Sequence, residues 1–407
     1  MPQTNHSAPK SLRFYLPEFL LHFGFALTGV GTVLLGCILP QVSAQWHLRD
    51  KDAGLLLLVQ FAASASGALL VRRNLWKTLA RGYGLMSAGA IAIFLLQQSW
   101  FPILAIAFGA FGLGLGLAMT STNILVGRRY PNRRGSALAL LNFSWSAGAV
   151  ACPIVVTQLL HHASGVAAFA LLGVLAAPCI ALPLVARQPF SDLQTGEKPV
   201  ARGNVEANTI VYYAGLAFLY VGMEATVGNW LSTYATRATS GSFVGSSVAV
   251  AFFWSALLLG RAATPAMLTF LTERRLHWVS VIVVIGGISL LLSAHNPRTV
   301  LAGSALTGLA LAPVFPLILS LYLADIGDSQ NAGWVFAVAG FGGAILSWLT
   351  GIVSTGTGSL RIALLVPGAA ALLMMLMISY DRTNHPIEPS ATMKQDPMFE
   401  PTTGRRG

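Results

Sequence analysis

The sequence has few charged residues and few cysteines. Only 10% of its 407 residues are Asp, Glu, Lys or Arg, whereas soluble domains carry roughly 25%. Cys37, Cys152 and Cys179 are odd in number and lack metal-ligand spacing, which indicates small packing residues rather than a disulfide framework. Paired carboxylates, metal-ligand clusters and a nucleophile beside a base are also missing at usable spacing. The sequence therefore does not suggest an enzyme, and we expect no cofactor.

Long apolar runs are abundant instead, because 55% of the residues are hydrophobic. The runs are about twenty residues long, the length that a helix needs to cross the hydrocarbon of a bilayer. A transmembrane barrel would show alternating segments of about ten residues. We therefore predict an all-α membrane protein with twelve spans, at residues 14–39, 53–71, 79–97, 101–126, 136–160, 164–186, 210–235, 244–268, 277–294, 299–323, 332–354 and 360–380.

The spans are predicted to form two six-helix bundles that resemble each other. Residues 112–126 are similar to residues 308–322, and the pattern around Glu224 has a counterpart in the first span. Repeated halves with a central link are typical of transporters whose site lies between them. The predicted organisation is an N-terminus (1–13), a first bundle (14–186), a linker (187–208), a second bundle (209–380) and a disordered tail (381–407).

The basic residues orient the chain in its membrane. Most of the 25 lysine and arginine residues fall in the segments that share a side with the two termini. By the positive-inside rule, both termini are predicted to be cytoplasmic, and the protein to lie in the cell (inner) membrane. The net charge of +11 thus indicates orientation in a lipid bilayer rather than binding to nucleic acid. The first apolar stretch is predicted to be a retained span.

Several short motifs lie along the spans. They are G-C-I-L-P at 36–40, Asn123 after a glycine run, L-L-N at 140–142, Gly148, Pro153, Y-V-G-M-E at 220–224, Trp230, F-W…L-G-R at 253–261, and G-L-A-L-A-P-V-F-P at 308–316. With these motifs the chain resembles the major facilitator superfamily, and within it the fucose–galactose–glucose:proton symporter family. The resemblance implies a major facilitator fold that works as a monomer. It also implies proton-coupled symport of a monosaccharide such as glucose, galactose, mannose or fucose.

The chain departs from these families at two places. In the superfamily's loop motif between the second and third spans, Arg72 fits and is a candidate gating residue, but Val71 replaces the usual aspartate. The acidic residue of the fucose permease pattern is missing from the fourth span, which offers Thr120, Ser121, Thr122 and Asn123. Any proton coupling must therefore use other groups.

Two acidic residues lie inside apolar spans. Glu224 is near the middle of 210–235, where a charge is costly and is usually functional. Removal from water favours the protonated form of a carboxyl, so Glu224 is the leading candidate for proton coupling. Glu18 and His22 share one helix face and are a second candidate pair, since histidine titrates near neutral pH. Alternatively, the Glu18 side chain extends to cytoplasmic water and holds His22 in place by a hydrogen bond, without a role in coupling.

Polar and aromatic side chains within the spans are the candidate substrate ligands. Asparagine and glutamine offer donors and acceptors for sugar hydroxyls, although they can equally join helices. Aromatic rings can pack on an apolar sugar face. Asn229 can meet a ligand together with Glu224 if the helix breaks at Gly228, whereas a straight helix separates them. The candidates, with Glu224 included, are Gln60, Asn123, Asn142, Trp145, Gln158, Asn229 and Phe341.

Arg261 closes the eighth span and is a candidate gating residue that pairs with an acidic partner or with helix carbonyls.

The sequence leaves other functions open. A proton-driven exporter of hydrophobic compounds is one alternative, although the fifth span keeps Gly148 and Pro153 without the other glycines of the antiporter motif. A ligand-binding receptor that moves nothing is another. Sodium is not excluded as the coupling ion.

Overall fold

The computed structural model describes residues 12–71, 74–130, 133–160, 162–186, 207–238, 243–326 and 332–384. These residues form twelve helices that are long and apolar enough to span a membrane. The helices are α1 (Leu12–Gln45), α2 (Asp50–Leu69), α3 (Leu75–Leu95), α4 (Phe101–Arg129), α5 (Arg134–Leu160), α6 (Ala167–Ala176, continued by Ala177–Ala181 and Leu182–Ala186), α7 (Ala207–Ala238), α8 (Phe243–Met267), α9 (Glu273–Leu292), α10 (Pro297–Leu311 and Val314–Ile326), α11 (Ala332–Thr357) and α12 (Leu360–Ala363 and Leu365–Asn384).

The predicted all-α fold with twelve spans is confirmed. Backbone groups in a bilayer must be satisfied within the segment, which makes helices the stable state of such apolar runs. Several helices extend beyond the predicted spans, because hydropathy marks the hydrocarbon and not the end of the hydrogen-bonded helix. Thus α2 begins at Asp50 and not at residue 53, and α9 begins at Glu273, after Thr272 accepts a hydrogen bond from the Arg275 amide.

The predicted N-terminus, linker and tail fall mostly outside the described residues. Of these segments, the structure describes helical residues at 12–13, 207–208 and 381–384. The predicted domain boundaries otherwise stay predictions. The three cysteines are buried thiols, as predicted, and the sulfurs of Cys37 and Cys152 lie 3.7 Å apart between α1 and α5.

Because the number of spans is even, α1 begins and α12 ends on the same side of the membrane, here called the terminal side. The opposite side is called the far side. The first half (α1–α6) packs on the second half (α7–α12) mainly through α2 against α11, α1 against α7, and α5 against α8. These helices place the middle of α7 and α8 at the boundary between the halves.

Small residues let the helices approach at backbone distance. A side chain at Gly116 of α4 would overlap the carbonyl of Ser64 in α2, so the small residue allows the two helices to pack closely. Between the halves, Gly36 of α1 lies against Asn229 of α7, and the Ser232 hydroxyl donates to the Cys37 carbonyl over 3.1 Å. The halves are therefore in direct contact towards the far side.

Candidate functional site

The side chain of Glu224 lies in the middle of α7 and is nearly buried. The helix is apolar around it, so a charge here needs partners. Its Oε1 accepts hydrogen bonds from Arg261 Nη2 at 2.9 Å and from the Tyr220 hydroxyl at 2.9 Å. Tyr220 is one helical turn before Glu224, while Arg261 reaches it from the neighbouring α8. We call Glu224 and Arg261 the central pair.

Arg261 also contacts the opposite half of the protein. Its Nη1 donates to the Ser146 hydroxyl of α5 at 3.0 Å, and its Cζ lies 5.8 Å from the centre of the Trp145 ring. That distance is within the range of a cation–π interaction. The acidic partner of Arg261 is therefore Glu224, and the guanidinium lies within the span rather than at its end. Because Arg261 touches both Glu224 and the opposite half, a change in the charge of Glu224 would alter the contacts of Arg261 with Ser146 and Trp145.

Two tryptophans lie beside the central pair. Trp145 of α5 and Trp254 of α8 pack edge to face with ring centroids 5.6 Å apart. Trp254 is two helical turns from Arg261 towards the far side and lies against Gly228 of α7. Within the described part of the chain, both indole N–H groups are buried without a hydrogen-bond partner. Such donors suit a hydroxylated ligand, because leaving them unpaired costs free energy.

Helix α7 is unbroken from Ala207 to Ala238. The straight-helix alternative therefore applies to Asn229, which points away from Glu224. Its amide donates to the Ala225 carbonyl at 2.7 Å, and its Oδ1 is buried near Gly36. The idea that Asn229 and Glu224 meet one ligand at a helix break is wrong for this conformation, because the apolar surroundings keep the backbone hydrogen bonds of α7 intact.

The other predicted ligands are not joined to the central pair. Gln60 is buried and donates to the Gly31 carbonyl, and Asn123 donates to the Met119 carbonyl. Asn142 is exposed one turn before Trp145, Gln158 is exposed near the far end of α5, and Phe341 is half-buried on α11. The gating candidate Arg72 lies outside the described residues.

Glu18 and His22 are bonded to different partners near the terminal side. Glu18 accepts hydrogen bonds from Arg129 at 2.7 Å and from the Tyr130 hydroxyl at 2.5 Å. Burial, together with this contact with the carboxylate, raises the pKa of the Tyr130 hydroxyl. His22 Nδ1 lies 2.8 Å from the Ser144 hydroxyl. The predicted hydrogen bond between Glu18 and His22 is therefore replaced by contacts with α4 and α5.

Sequence reasoning missed three residues of this site. The sequence spacing could have indicated Tyr220, because it is four residues before Glu224 and therefore shares its helix face. Trp254 is part of the F-W…L-G-R motif but had no predicted role, and nothing in the sequence indicates Ser146. Their place in the site depends on α5 and α8, which belong to different halves and meet only in the folded protein. The site as observed consists of Tyr220, Glu224, Arg261, Ser146, Trp145 and Trp254.

Twelve membrane-spanning helices in two repeated halves, with a charged pair at the boundary, define a polytopic carrier protein. Comparison with known sequences identifies the family, since the profile of the Major Facilitator Superfamily matches residues 21–332. The chain belongs to this superfamily and is a multi-pass membrane transporter, as the resemblance of its motifs implied.

Named relatives are similar at low identity. The "Glucose/mannose transporter GlcP" of Bacillus subtilis (strain 168) is 23% identical over 82% of this chain and 87% of its own length. "Bypass of stop codon protein 6" of Saccharomyces cerevisiae is 22% identical over 84% of this chain and 77% of its own length. A crystal structure of a variant of the E. coli fucose:proton symporter FucP aligns with a TM-score of 0.57. That alignment has 17% identity and covers 90% of this chain and 98% of that one. This likeness shows a shared fold.

Proposed function

We propose that this protein takes up a monosaccharide of the hexose class together with a proton, by alternating access between two six-helix halves. The protein would lie in the cell (inner) membrane as a monomer with both termini cytoplasmic. One observation carries the proposal: a nearly buried carboxylate, Glu224, is bonded to an arginine that also contacts the other half. The charge on Glu224 and the contact between the halves are thereby linked through Arg261.

The ion pair explains how a proton would change the state of the carrier. In the present arrangement the charge of Glu224 compensates that of Arg261, and separating buried partners is costly. Protonation of Glu224 removes the attraction and weakens its hold on the guanidinium. The contacts of Arg261 with Ser146 and Trp145 then rearrange, and this change favours reorientation of the halves.

The surroundings of the pair suit a neutral polyhydroxylated substrate. Arg261 and the indole N–H groups of Trp145 and Trp254 are donors, and the carboxylate of Glu224 is an acceptor for hydroxyl groups. The tryptophan rings offer flat apolar surfaces of the kind on which a pyranose face packs. The printed names of GlcP, a glucose/mannose transporter, and FucP, a fucose:proton symporter, agree with this substrate class.

Purified protein in proteoliposomes with a pH-sensitive dye tests the proposal. We expect glucose, galactose, mannose or fucose, added without any imposed gradient, to make the side from which it enters more alkaline. Replacement of Glu224 by Gln is expected to abolish this proton movement and concentrative uptake while sugar exchange at equal concentrations continues. A matched control is Glu273→Gln, because Glu273 is bonded to Ser320 of the same half at 2.8 Å, outside the site.

Four outcomes would contradict the proposal. Full proton-coupled accumulation by Glu224→Gln removes the role given to this residue. Sugar uptake that follows a sodium gradient without a pH change identifies sodium as the coupling ion. Flux of a hydrophobic cation against protons supports the exporter, and binding of sugar without any flux supports a receptor.

A further inference from the structure

A second buried carboxylate, Asp50, lies at the far side and joins the two halves. Arg237 binds it with both guanidinium nitrogens, Nη2 to Oδ1 and Nη1 to Oδ2, each at 2.6 Å. The Ser354 hydroxyl donates to the same Oδ2 at 2.5 Å. Asp50 begins α2 in the first half, whereas Arg237 lies in the last turn of α7 and Ser354 near the end of α11 in the second half. We call these three residues the far-side cluster.

The backbone around the cluster is closely packed as well. The Lys51 amide donates to the Thr355 hydroxyl at 2.8 Å, and Gly351 of α11 lies directly against the Asp50 carbonyl. A Cβ atom at Gly351 would overlap that carbonyl. Helices α2 and α11 therefore touch at the point where the charges meet, and they cannot separate at the far side without breaking the bonds of Asp50.

We propose that the far-side cluster is a latch that closes the carrier towards the far side and breaks in each cycle when the halves separate there. The exposure of the partners supports a reversible bond. The Asp50 side chain is 10% exposed, whereas that of Arg237 is 47% exposed. The guanidinium is therefore already in contact with water. On opening, water molecules would replace the protein groups that bind the carboxylate. Such a pair contributes less than a fully buried one and can open repeatedly.

The other described ion pairs lack this geometry. Glu18–Arg129, Arg49–Asp52 and the central pair each lie within one half. Rigid-body motion of the halves leaves such pairs intact, whereas it must break Asp50–Arg237. The latch rests on the alternating access of the proposed function. It requires neither a sugar nor a proton, so label distances test it separately from transport.

Distance measurements between spin labels test the latch without any transport assay. Cys37, Cys152 and Cys179 are first replaced by Ala. Cysteines are then introduced on the far side at Gln98, between α3 and α4 of the first half, and at Arg298, in the first turn of α10 of the second half. We expect Asp50→Asn to raise the population of molecules with the long label distance, relative to those with the short distance, about tenfold. This change corresponds to about 1.4 kcal/mol. The matched control is Asp52→Asn, since Asp52 belongs to the same helical turn but pairs with Arg49 of its own half.

Two further variants keep the test decisive if Asp50→Asn folds poorly. Arg237→Gln is expected to act like Asp50→Asn, and Ser354→Ala, which removes one hydrogen bond, to raise the ratio about threefold. The exchanged pair Asp50→Arg with Arg237→Asp should return the distances towards those of the parent. An unchanged distance distribution in folded Asp50→Asn or Arg237→Gln, or an equal shift in Asp52→Asn, overturns the latch.

Discussion

Glu224 and Arg261 form an ion pair inside the second half of the protein, whereas Asp50 and Arg237 form one between the two halves. Both carboxylates are nearly buried and both are bound by a guanidinium. The central pair can persist while the halves move, and it reaches the other half only through Ser146 and Trp145. The far-side pair would have to break in the alternating access that we propose. Location relative to the moving boundary, rather than the chemistry of the pair, therefore separates a candidate coupling site from a candidate latch.

Equivalent changes in the two arginines should have very different effects on transport. Arg261→Gln leaves Glu224 buried without its cation, and breaking a buried pair in this way costs about 3–5 kcal/mol. We expect the rate of sugar uptake in proteoliposomes to fall more than about 100-fold. Arg237→Gln should reduce the rate less than about tenfold, since its partner can enter water when the halves part. Equal losses in the two variants would remove the distinction between coupling site and latch.

A change at the packing of α2 against α11 should affect the far side alone. Gly351→Ala places a methyl group against the Asp50 carbonyl, and overpacking of this kind costs about 1–3 kcal/mol. We expect a lower melting temperature in detergent and a larger population of molecules with the long distance between labels at positions 98 and 298. Gly356→Ala on the same helix is the control, because a Cβ atom there meets nothing within 4 Å. If the two alanine variants melt alike, the close contact at Asp50 is not important for stability.

The smallest effect is expected at Glu18. This carboxylate lies in one half, is 32% exposed and is bonded to Arg129 and Tyr130. Partly exposed ion pairs contribute about 0–1 kcal/mol. Glu18→Gln should therefore keep the number of protons moved per sugar, with uptake changed by about twofold at most. The measurement is the ratio of dye-reported protons to radiolabelled sugar. Loss of proton movement would assign coupling to Glu18 and His22 after all.

The sequence located the central carboxylate but not its partners. Glu224 is visible as a charge in an apolar run, and Tyr220 is within reach of simple helix geometry. Arg261 is visible in the sequence at the end of its predicted span, yet nothing there connects it with Glu224 rather than with any other acidic residue. The choice between a broken and a straight α7 was also open, and the intact helix then separated Asn229 from Glu224.

Asp50 shows the limit of hydropathy most clearly. It lies among three other charged residues, Arg49, Lys51 and Asp52, so the sequence places it in a loop just before the second span. The structure places it in the first turn of α2, bonded to residues 187 and 304 positions away. Such pairing depends on how two bundles meet, which no local pattern records.

The sequence by itself determined the environment, the twelve spans, the two repeated halves and one costly internal charge. These follow from local composition, since an apolar run of about twenty residues in a bilayer has few stable states other than a helix. Only the tertiary structure decided which charges meet, and whether they meet within a half or across the boundary. Ion pairing depends on the distance between side chains of separate helices, and packing of small residues and helix faces sets that distance. The shortage of charge that marks this chain therefore leaves few ion pairs, and their placement was decided by the fold.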